Sequence, residues 1–312
     1  MEKNNFIFEE QKCGYLITEE RKKMWKIELD MLDQVTRICD ENGLKYSLIY
    51  GSAIGAMRHH GFIPWDDDID LCMVREDFDK FIQIAHQSLP EPYFLQENLI
   101  DDQHISGLLR MRHSESTGII RGDDMKKCNN GIFIEIYPLD YVPDHKTARK
   151  IQLKLSYWLM HALSAYYYNY HESVKQRLGK QFVYLFGYNR VYKWWKNVCT
   201  HYQGKNKKMV NLVTMPHYGI TNDMLISAKE ITDVVPCRYE YTNAYVTKSY
   251  DKLLRRTYGD YMQFPEEKER GKHHDQIVFY DPDVCYKDYI NSDLVYKYFH
   301  TNEEVDHVAW RL

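Results

Sequence analysis

Apolar residues near the start of the chain follow the spacing of an amphipathic helix. They recur every three or four positions, which places them on one side of a helix: Ile27, Met31, Val35 and Ile38. Thr18 is a suitable N-cap residue, and Gly43 is a suitable residue for ending the helix. The sequence therefore predicts a helix over residues 19–42 with one buried face.

Further along, the patterns of strand and helix alternate. Short apolar runs bounded by Gly or Pro indicate strands at 46–50, 69–73, 93–95, 107–112, 117–120 and 131–137. Helical spacing returns at 53–57 and 77–88. The last strand has the strongest signal because β-branched and aromatic residues dominate it, and Pro138 is expected to close it. The alternation predicts an α+β fold in which helices flank a mixed β-sheet core.

The charge of the chain is unevenly distributed. Lys and Arg number 41 and Asp and Glu 45, so the formal charge is −4. Residues 145–208 hold 13 Lys or Arg, one acid and 14 aromatic residues, which gives this segment +12 and leaves −16 for the rest. Such a split predicts a helical insertion over 145–208 with its own surface role.

The composition excludes several classes of protein. With 44% apolar and 28% charged residues, the chain is neither disordered, collagen-like nor a coiled coil. No apolar run approaches the roughly 18 to 20 residues that cross a bilayer, and the start of the chain lacks the pattern of a secretory signal. We expect a cytoplasmic protein whose seven cysteines are reduced thiols.

Four carboxylates crowd into the five residues that precede the second predicted strand: Asp66, Asp67, Asp68 and Asp70. So many like charges cannot all ionise cheaply without a cation. The period of two predicts that Asp68 and Asp70 share one strand face, and Glu135 on a later strand is a candidate third carboxylate. Hard oxygen ligands of this kind suit Mg²⁺ or Mn²⁺. A solvated acidic turn is the alternative.

Other residues near this cluster are candidates for contact with a phosphate group. Gly51 and Ser52 form a small-residue turn that would let a backbone N–H and a hydroxyl come close to it. Arg110 and Arg112 are two apart, so on a strand they would point to one face and hold phosphate oxygens. Structural ion pairs are the alternative for both arginines.

Two more residues each have a plain and a functional interpretation. Trp65 is either a core residue or one wall of a cage for a quaternary ammonium group. Asp140, which follows Pro138, is expected to cap or turn the chain, with direct substrate contact as the alternative.

The string GSAIGAMRHHGFIPWDDDIDL, together with GIFIEIYPLD, resembles the LicD family of phosphorylcholine transferases, which has a nucleotidyltransferase-like fold. The resemblance covers roughly residues 25–141 and 240–275, and it includes His273 and His274. It implies a catalytic core over 1–144, the basic aromatic insertion over 145–208, and a C-terminal part over 209–312 that completes the catalytic domain and the substrate site. Glu135 departs from the family pattern, in which Asp is expected.

The resemblance implies metal-dependent transfer of a phospho-alcohol group, most commonly phosphorylcholine from CDP-choline, with release of CMP. The acceptor would be a hydroxyl of a cell-surface glycan, such as teichoic acid or lipopolysaccharide, or of its lipid-linked precursor. The implied metal ligands and catalytic residues are Asp68, Asp70 and Glu135. The implied substrate-binding residues are Gly51, Ser52, Arg110, Arg112, His273 and His274. No nucleic acid partner is expected.

Two other functions stay open at this point. One is a nucleotidyltransferase that releases pyrophosphate from a nucleoside triphosphate, and the other is a non-catalytic scaffold that binds a nucleotide or a glycan. The basic, aromatic segment 145–208 has the composition of a surface that meets anionic lipid headgroups, so we expect peripheral contact with the inner face of the membrane. Helices that pack their aromatic residues inward are the alternative.

Overall fold

A computed structural model describes residues 6–97, 107–120, 128–167, 173–216, 224–270 and 277–292. Its helices are α1 (Glu19–Asn42), α2 (Tyr50–Ile54), α3 (Arg75–Ser88), α4 (Lys146–Tyr167), α5 (Val174–Phe186), α6 (Tyr188–Cys199), α7 (Ala228–Thr232), α8 (Tyr250–Tyr258) and α9 (Tyr286–Tyr289). A π-helical turn, Gly55–His59, extends α2, and a 3₁₀ turn spans Glu267–Glu269.

The described strands are β1 (Glu10–Lys12), β2 (Tyr15–Ile17), β3 (Ser47–Leu48), β4 (Asp70–Val74), β5 (Tyr93–Gln96), β6 (Leu109–His113), β7 (Thr117–Ile120), β8 (Ile132–Val142), β9 (Met209–Asn211), β10 (Ile226–Ser227), β11 (Val234–Tyr239), β12 (Thr242–Thr247) and β13 (Ile277–Asp281). Seven of them form one sheet, and the others pair as β1–β2, β11–β12 and β7–β13. The predicted α+β class is confirmed.

The long strand β8 is the centre of the seven-stranded sheet. It pairs in parallel with β4 along one side and antiparallel with β6 and then β9 along the other. Ile134 and Ile136 pack into the same core as the buried face of α1. Tyr137 and Leu139 belong to a separate core on the opposite face. Glu135 and Tyr137, two residues apart on the strand, therefore share this second face.

The first helix has the predicted boundaries. Thr18 Oγ1 accepts a hydrogen bond from the N–H of Arg21 at 3.2 Å, and Gly43 ends the helix in the left-handed conformation with φ of 68°. Both signals are local, so the sequence alone reveals them.

Two predicted strand boundaries are wrong. The strand predicted over 46–50 is reduced to β3 because α2 already begins at Tyr50. The strand beginning near 131 continues past Pro138 to Val142. The N–H of Glu135 donates to the carbonyl of Ile69, next to β4. Successive backbone nitrogens of a strand face opposite sides, so the nitrogen of Pro138 faces away from β4. On that side, β8 pairs with β6 only as far as Ile136, and its pairing with β9 begins at Asp140, so no described ladder bond requires an N–H from Pro138.

Helices α4, α5 and α6 enclose a third apolar core that adjoins the end of β8. Its buried residues include Leu163, Val183 and Trp195. Ser156 Oγ donates to the carbonyl of Val213 at 2.6 Å and accepts the indole N–H of Trp195 at 3.0 Å, which ties α4 and α6 to the chain after β9. Among the described residues, no helix combines the length and the apolar character that crossing a membrane requires.

Candidate active site

Three charged side chains lie side by side across the middle of the sheet. Asp70, the first residue of β4, is in register with Glu135 of β8, which is in register with Arg110 of β6. Residues in register on neighbouring strands point to the same face. Arg110 Nε donates to Glu135 Oε1 at 2.8 Å, and the Tyr137 hydroxyl donates to Oε2 at 2.7 Å. Two partners thus fix the orientation of the Glu135 carboxylate.

The other carboxylates lie in the loop that leads into β4. Asp66, Asp67 and Asp68 can each offer one oxygen such that all three oxygens are within 4.8 Å of one another. Asp66 and Asp67 are buried, whereas Asp68 is partly exposed. Asp68 comes before β4, so it belongs to this loop and not to the strand face that the spacing predicts.

The crowding of carboxylates has an electrostatic consequence. Desolvation raises the pKa of Asp68 well above its usual range, and the nearby carboxylates Asp70, Asp66, Asp67 and Glu135 raise it further. A cluster of oxygen donors that resists ionisation by itself is suited to a hard divalent cation, whose charge would offset the repulsion. The donor set at 66–70 therefore fits Mg²⁺ or Mn²⁺.

Helix α1 holds this acidic loop in place. The indole N–H of Trp25 and the guanidinium of Arg21 both donate to the backbone carbonyl of Asp66, at 3.1 and 3.3 Å. Arg21 also lies 3.7 Å from the carboxylate of Asp67. Arg21 is 45 residues from Asp66 in the chain, and no local pattern links the two.

Gly51 and Ser52 both contact the carboxylate region. Ser52 Oγ accepts the backbone N–H of Asp70 at 2.8 Å, and its side chain is buried. A Cβ atom on Gly51 would lie 2.6 Å from Asp66 Oδ2, so a larger residue at position 51 would force that carboxylate to move. Gly51 thus leaves space beside the Asp66 carboxylate, and Ser52 holds the backbone at Asp70. Their predicted contact with a phosphate stays a prediction.

The two predicted arginines are in different environments. Arg110 is in the charged row, beside Glu135. Arg112 is fully buried and donates to Gln96 Oε1 at 2.6 Å and to the carbonyl of Gly131 at 2.8 Å. Both of these Arg112 contacts are to neutral groups, and the structural ion pair given as the alternative is found at Arg110, with Glu135. Phosphate binding by either arginine stays a prediction. His273 and His274 lie outside the described residues.

The structure also bears on the interpretations of Trp65 and Asp140. Trp65 is buried in the main apolar core, in agreement with the core interpretation, and the Arg270 guanidinium lies over its ring at 4.9 Å from the centroid. A cage for a quaternary ammonium group stays a prediction. The expectation that Asp140 caps or turns the chain is wrong, because Asp140 lies inside β8. Its carboxylate is fully buried and accepts a hydrogen bond from Arg75 Nε at 2.7 Å. Asp140 therefore joins β8 to the start of α3.

Sequence reasoning missed three residues of this region. Tyr137 could have been found, because the period of two puts it on the same strand face as Glu135. Arg21 had no signal. Glu28 of α1 was missed because its position looks like that of a surface residue. It is fully buried, and neither of its carboxylate oxygens has a hydrogen-bond partner in the part of the chain that the structure describes.

Replacing Glu28 by Gln should raise the free energy of unfolding at neutral pH by about 1 kcal/mol. Burial, and secondarily Asp67, raises the pKa of Glu28 well above its ordinary 4.5. The folded state thus holds a proton that the unfolded state releases, so this group weakens stability as the pH rises above 4.5. Urea unfolding of both proteins over a pH series would show the advantage of Gln vanishing toward low pH. A less stable variant at pH 7 would mean that the Glu28 charge is used in the fold.

The residues of the charged row and the acidic loop fall within one stretch of chain that matches a family model. Residues 43–158 match the model described as LicD/FKTN/FKRP, nucleotidyltransferase domain. Residues 43–158 are thus similar in sequence to the LicD family nucleotidyltransferase domain. The resemblance seen in the sequence is confirmed.

The LicD family match is supported by a relative that aligns with most of this chain. The chain is 28% identical over 261 residues to the lipopolysaccharide cholinephosphotransferase LicD of Haemophilus influenzae, covering 80% of this chain and 94% of that protein. Two uncharacterized proteins match shorter parts: one of Rickettsia typhi is 33% identical over 87 residues, and one of Rickettsia prowazekii is 30% identical over 78 residues. They cover 28% and 23% of this chain, and 27% and 29% of their own lengths. The predicted enzyme class, a phosphotransferase, is confirmed.

Proposed function

We propose that this chain transfers phosphorylcholine from a CDP-linked donor, most simply CDP-choline, to a hydroxyl of a cell-surface glycan or of its lipid-linked precursor, and releases CMP. The observation that carries the proposal is the group of carboxylates Asp66–Asp70 beside the Arg110–Glu135 pair, within the residues that match the LicD family model. The name of the Haemophilus relative supports choline phosphate as the group and lipopolysaccharide as a model of the acceptor.

The donor requires a site that tolerates a diphosphate next to carboxylates. We propose that Asp68 and Asp70, with Glu135, bind Mg²⁺ or Mn²⁺, which when bound would neutralise charge on the donor diphosphate and on the leaving CMP. Asp68 is the more exposed member of the loop, so it faces the side from which a substrate can arrive.

The protein's own residues would orient the reacting groups. Arg110 brings a positive charge to the carboxylate row, and guanidinium N–H groups suit phosphate oxygens. The bonds from Arg110 and Tyr137 hold Glu135 in one orientation, so its carboxylate presents the same oxygens in every catalytic cycle. Arg21 and Trp25 keep the acidic loop against α1 and so fix the position of Asp68 relative to Asp70.

The identity of the products tests the proposal. Purified protein is incubated with CDP-choline, a lipopolysaccharide-type glycan acceptor and Mg²⁺. It should add one phosphorylcholine to the glycan for each CMP that it releases, as measured by chromatography and mass spectrometry. The Asp68→Asn variant is the matched control. Pyrophosphate released from CTP, with the nucleotide left on the acceptor, would instead establish a nucleotidyltransferase. Binding without either product would favour a scaffold.

The donor alcohol can be compared in the same way. Thermal-shift measurements with CDP-choline, CDP-ethanolamine, CDP-glycerol and CDP-ribitol rank the donors, because a ligand that binds only the folded state raises its melting temperature. CDP-choline is expected to give the largest shift. A larger shift with another donor would replace the choline assignment and leave the reaction class unchanged.

A further inference from the structure

The outer side of α4 carries apolar residues that face solvent. Ile151, Leu155 and Trp158 are 62%, 44% and 45% exposed. They are spaced at four and three residues, so they form one stripe along the helix. Lys150 and Lys154 lie on the same exposed side. A stripe of this kind, apolar and basic at once, is unusual for a surface that only meets water.

The stripe continues onto the two following helices. Trp158 contacts Phe182 of α5, with ring centroids 4.8 Å apart, and Phe182 lies 6.1 Å from Trp194 of α6. Leu178 and Leu185, on either side of Phe182 in α5, are 60% and 76% exposed. We call this continuous surface the docking face; its residues are Ile151, Leu155, Trp158, Leu178, Phe182, Leu185 and Trp194.

The three helices that form the docking face carry charge of one sign. Helices α4, α5 and α6 together contain ten Lys or Arg residues and no Asp or Glu. Arg190, one turn before Trp194 on α6, is exposed like Lys150 and Lys154. Trp195 packs inward, as the alternative interpretation expects, whereas Trp158 and Trp194 reach the surface. The expected contact with a membrane stays a prediction.

We propose that the docking face binds the surface of an anionic phospholipid bilayer. Exposed Leu and Trp side chains would enter the interfacial layer, and Lys and Arg would meet lipid phosphates, as in monotopic amphipathic helices. A uniformly positive surface complements an anionic membrane, whereas a second copy of this face would repel it. The inference rests on the proposed function in one respect: it names the place where a lipid-linked acceptor would be met.

The structure shows which basic residues should be replaced to test membrane binding. Lys205 and Lys207 belong to the basic segment 145–208, but they lie after α6 against the ring of Tyr202, and Lys207 is 3.6 Å from Asp144. The charge variant is therefore Lys150→Gln, Lys154→Gln and Arg190→Gln. Its matched control is Lys45→Gln, Lys80→Gln and Lys229→Gln, which removes three equally exposed charges outside the three helices. The apolar variant is Leu155→Ser with Leu185→Ser.

The test is co-sedimentation with vesicles. Wild-type protein should sediment with vesicles containing phosphatidylglycerol at low salt, stay soluble with pure phosphatidylcholine, and be released at about 0.5 M salt. The charge variant should partition about 100-fold more weakly, and the control variant should match the wild type. The apolar variant should also lose binding while keeping the wild-type melting temperature, because its changes are at exposed positions.

Three results would overturn the proposal: no sedimentation of the wild type at low salt, equal losses in the charge and control variants, or a solution dimer that the apolar variant abolishes. The last would mean that a second copy covers the face. Release of CMP is measured separately with a water-soluble acceptor. Protein that sediments but releases no CMP contradicts the proposed function alone, and protein that releases CMP but does not sediment contradicts the docking face alone.

Discussion

Asn at position 68 or 70 is expected to lower turnover by about 10³-fold, the size of loss that accompanies removal of electrostatic stabilisation from a transferring phosphoryl group. Asp68 is partly exposed, unlike Asp66 and Asp67, and Asp70 is in register with Glu135 of the neighbouring strand. The measurement is the initial rate of CMP release with donor and Mg²⁺ saturating. Asp66→Asn and Asp67→Asn should cost less, because Asp67 faces Arg21 and Asp66 packs against Gly51.

Asp68→Asn should leave the metal-free protein at least as heat-stable as the metal-free wild type. The pKa of Asp68 is raised by burial and by its neighbours, so ionisation of this carboxyl weakens the folded state above its ordinary pKa of 3.8. Asn keeps the shape and removes that cost. A metal-free Asp68→Asn protein that melts well below the metal-free wild type, or equal losses of activity at all four aspartates, would contradict the assignment of Asp68 and Asp70 as the principal ligands.

Asp140→Ala is expected to lower the free energy of unfolding by about 3 kcal/mol, because it leaves the buried Arg75 guanidinium without its main partner. Asp79 remains 3.4 Å from the other end of Arg75, which keeps the loss at the lower end of the usual range. Burial raises the pKa of Asp140 in spite of Arg75, so the ion pair is itself costly to bury. Urea unfolding measures the effect.

A double variant separates this structural role from a role in substrate binding. Replacing the pair by apolar residues, Arg75→Met with Asp140→Leu, should recover most of the stability, since neither charge is then left buried alone. If Asp140→Ala unfolds like the wild type but fails to release CMP, the carboxylate acts on substrate and the structural assignment is wrong.

Sequence reasoning succeeded where the signal is local. The bounds of α1 follow from a cap residue, a helical period and a glycine, all within one stretch of chain. The acidic cluster and the isolated Glu135 were also recognisable, because carboxylates next to an apolar strand are rare without a reason. What Pro138 does could not be predicted, since it depends on where β6 ends and β9 begins.

The contacts that complete the site connect distant parts of the chain. Asp70 and Glu135 are 65 residues apart and meet only through parallel pairing of their strands. Arg75 and Asp140 are likewise 65 residues apart, and a lone Arg at the start of a helix gives no indication of a buried partner. Such pairings depend on sheet order and register, which a single sequence with many possible strand pairings does not determine.

The hydrogen bonds that anchor the acidic loop are made mainly to its backbone and not to its side chains. Trp25 and Arg21 bond to the backbone carbonyl of residue 66, and Ser52 bonds to the backbone N–H of residue 70, so these three anchors do not involve the Asp66 and Asp70 side chains. The side chains of the loop can therefore change by single substitutions while its path stays fixed. A protein built in this way can acquire a different set of chemical groups at this position without first evolving a new fold around it.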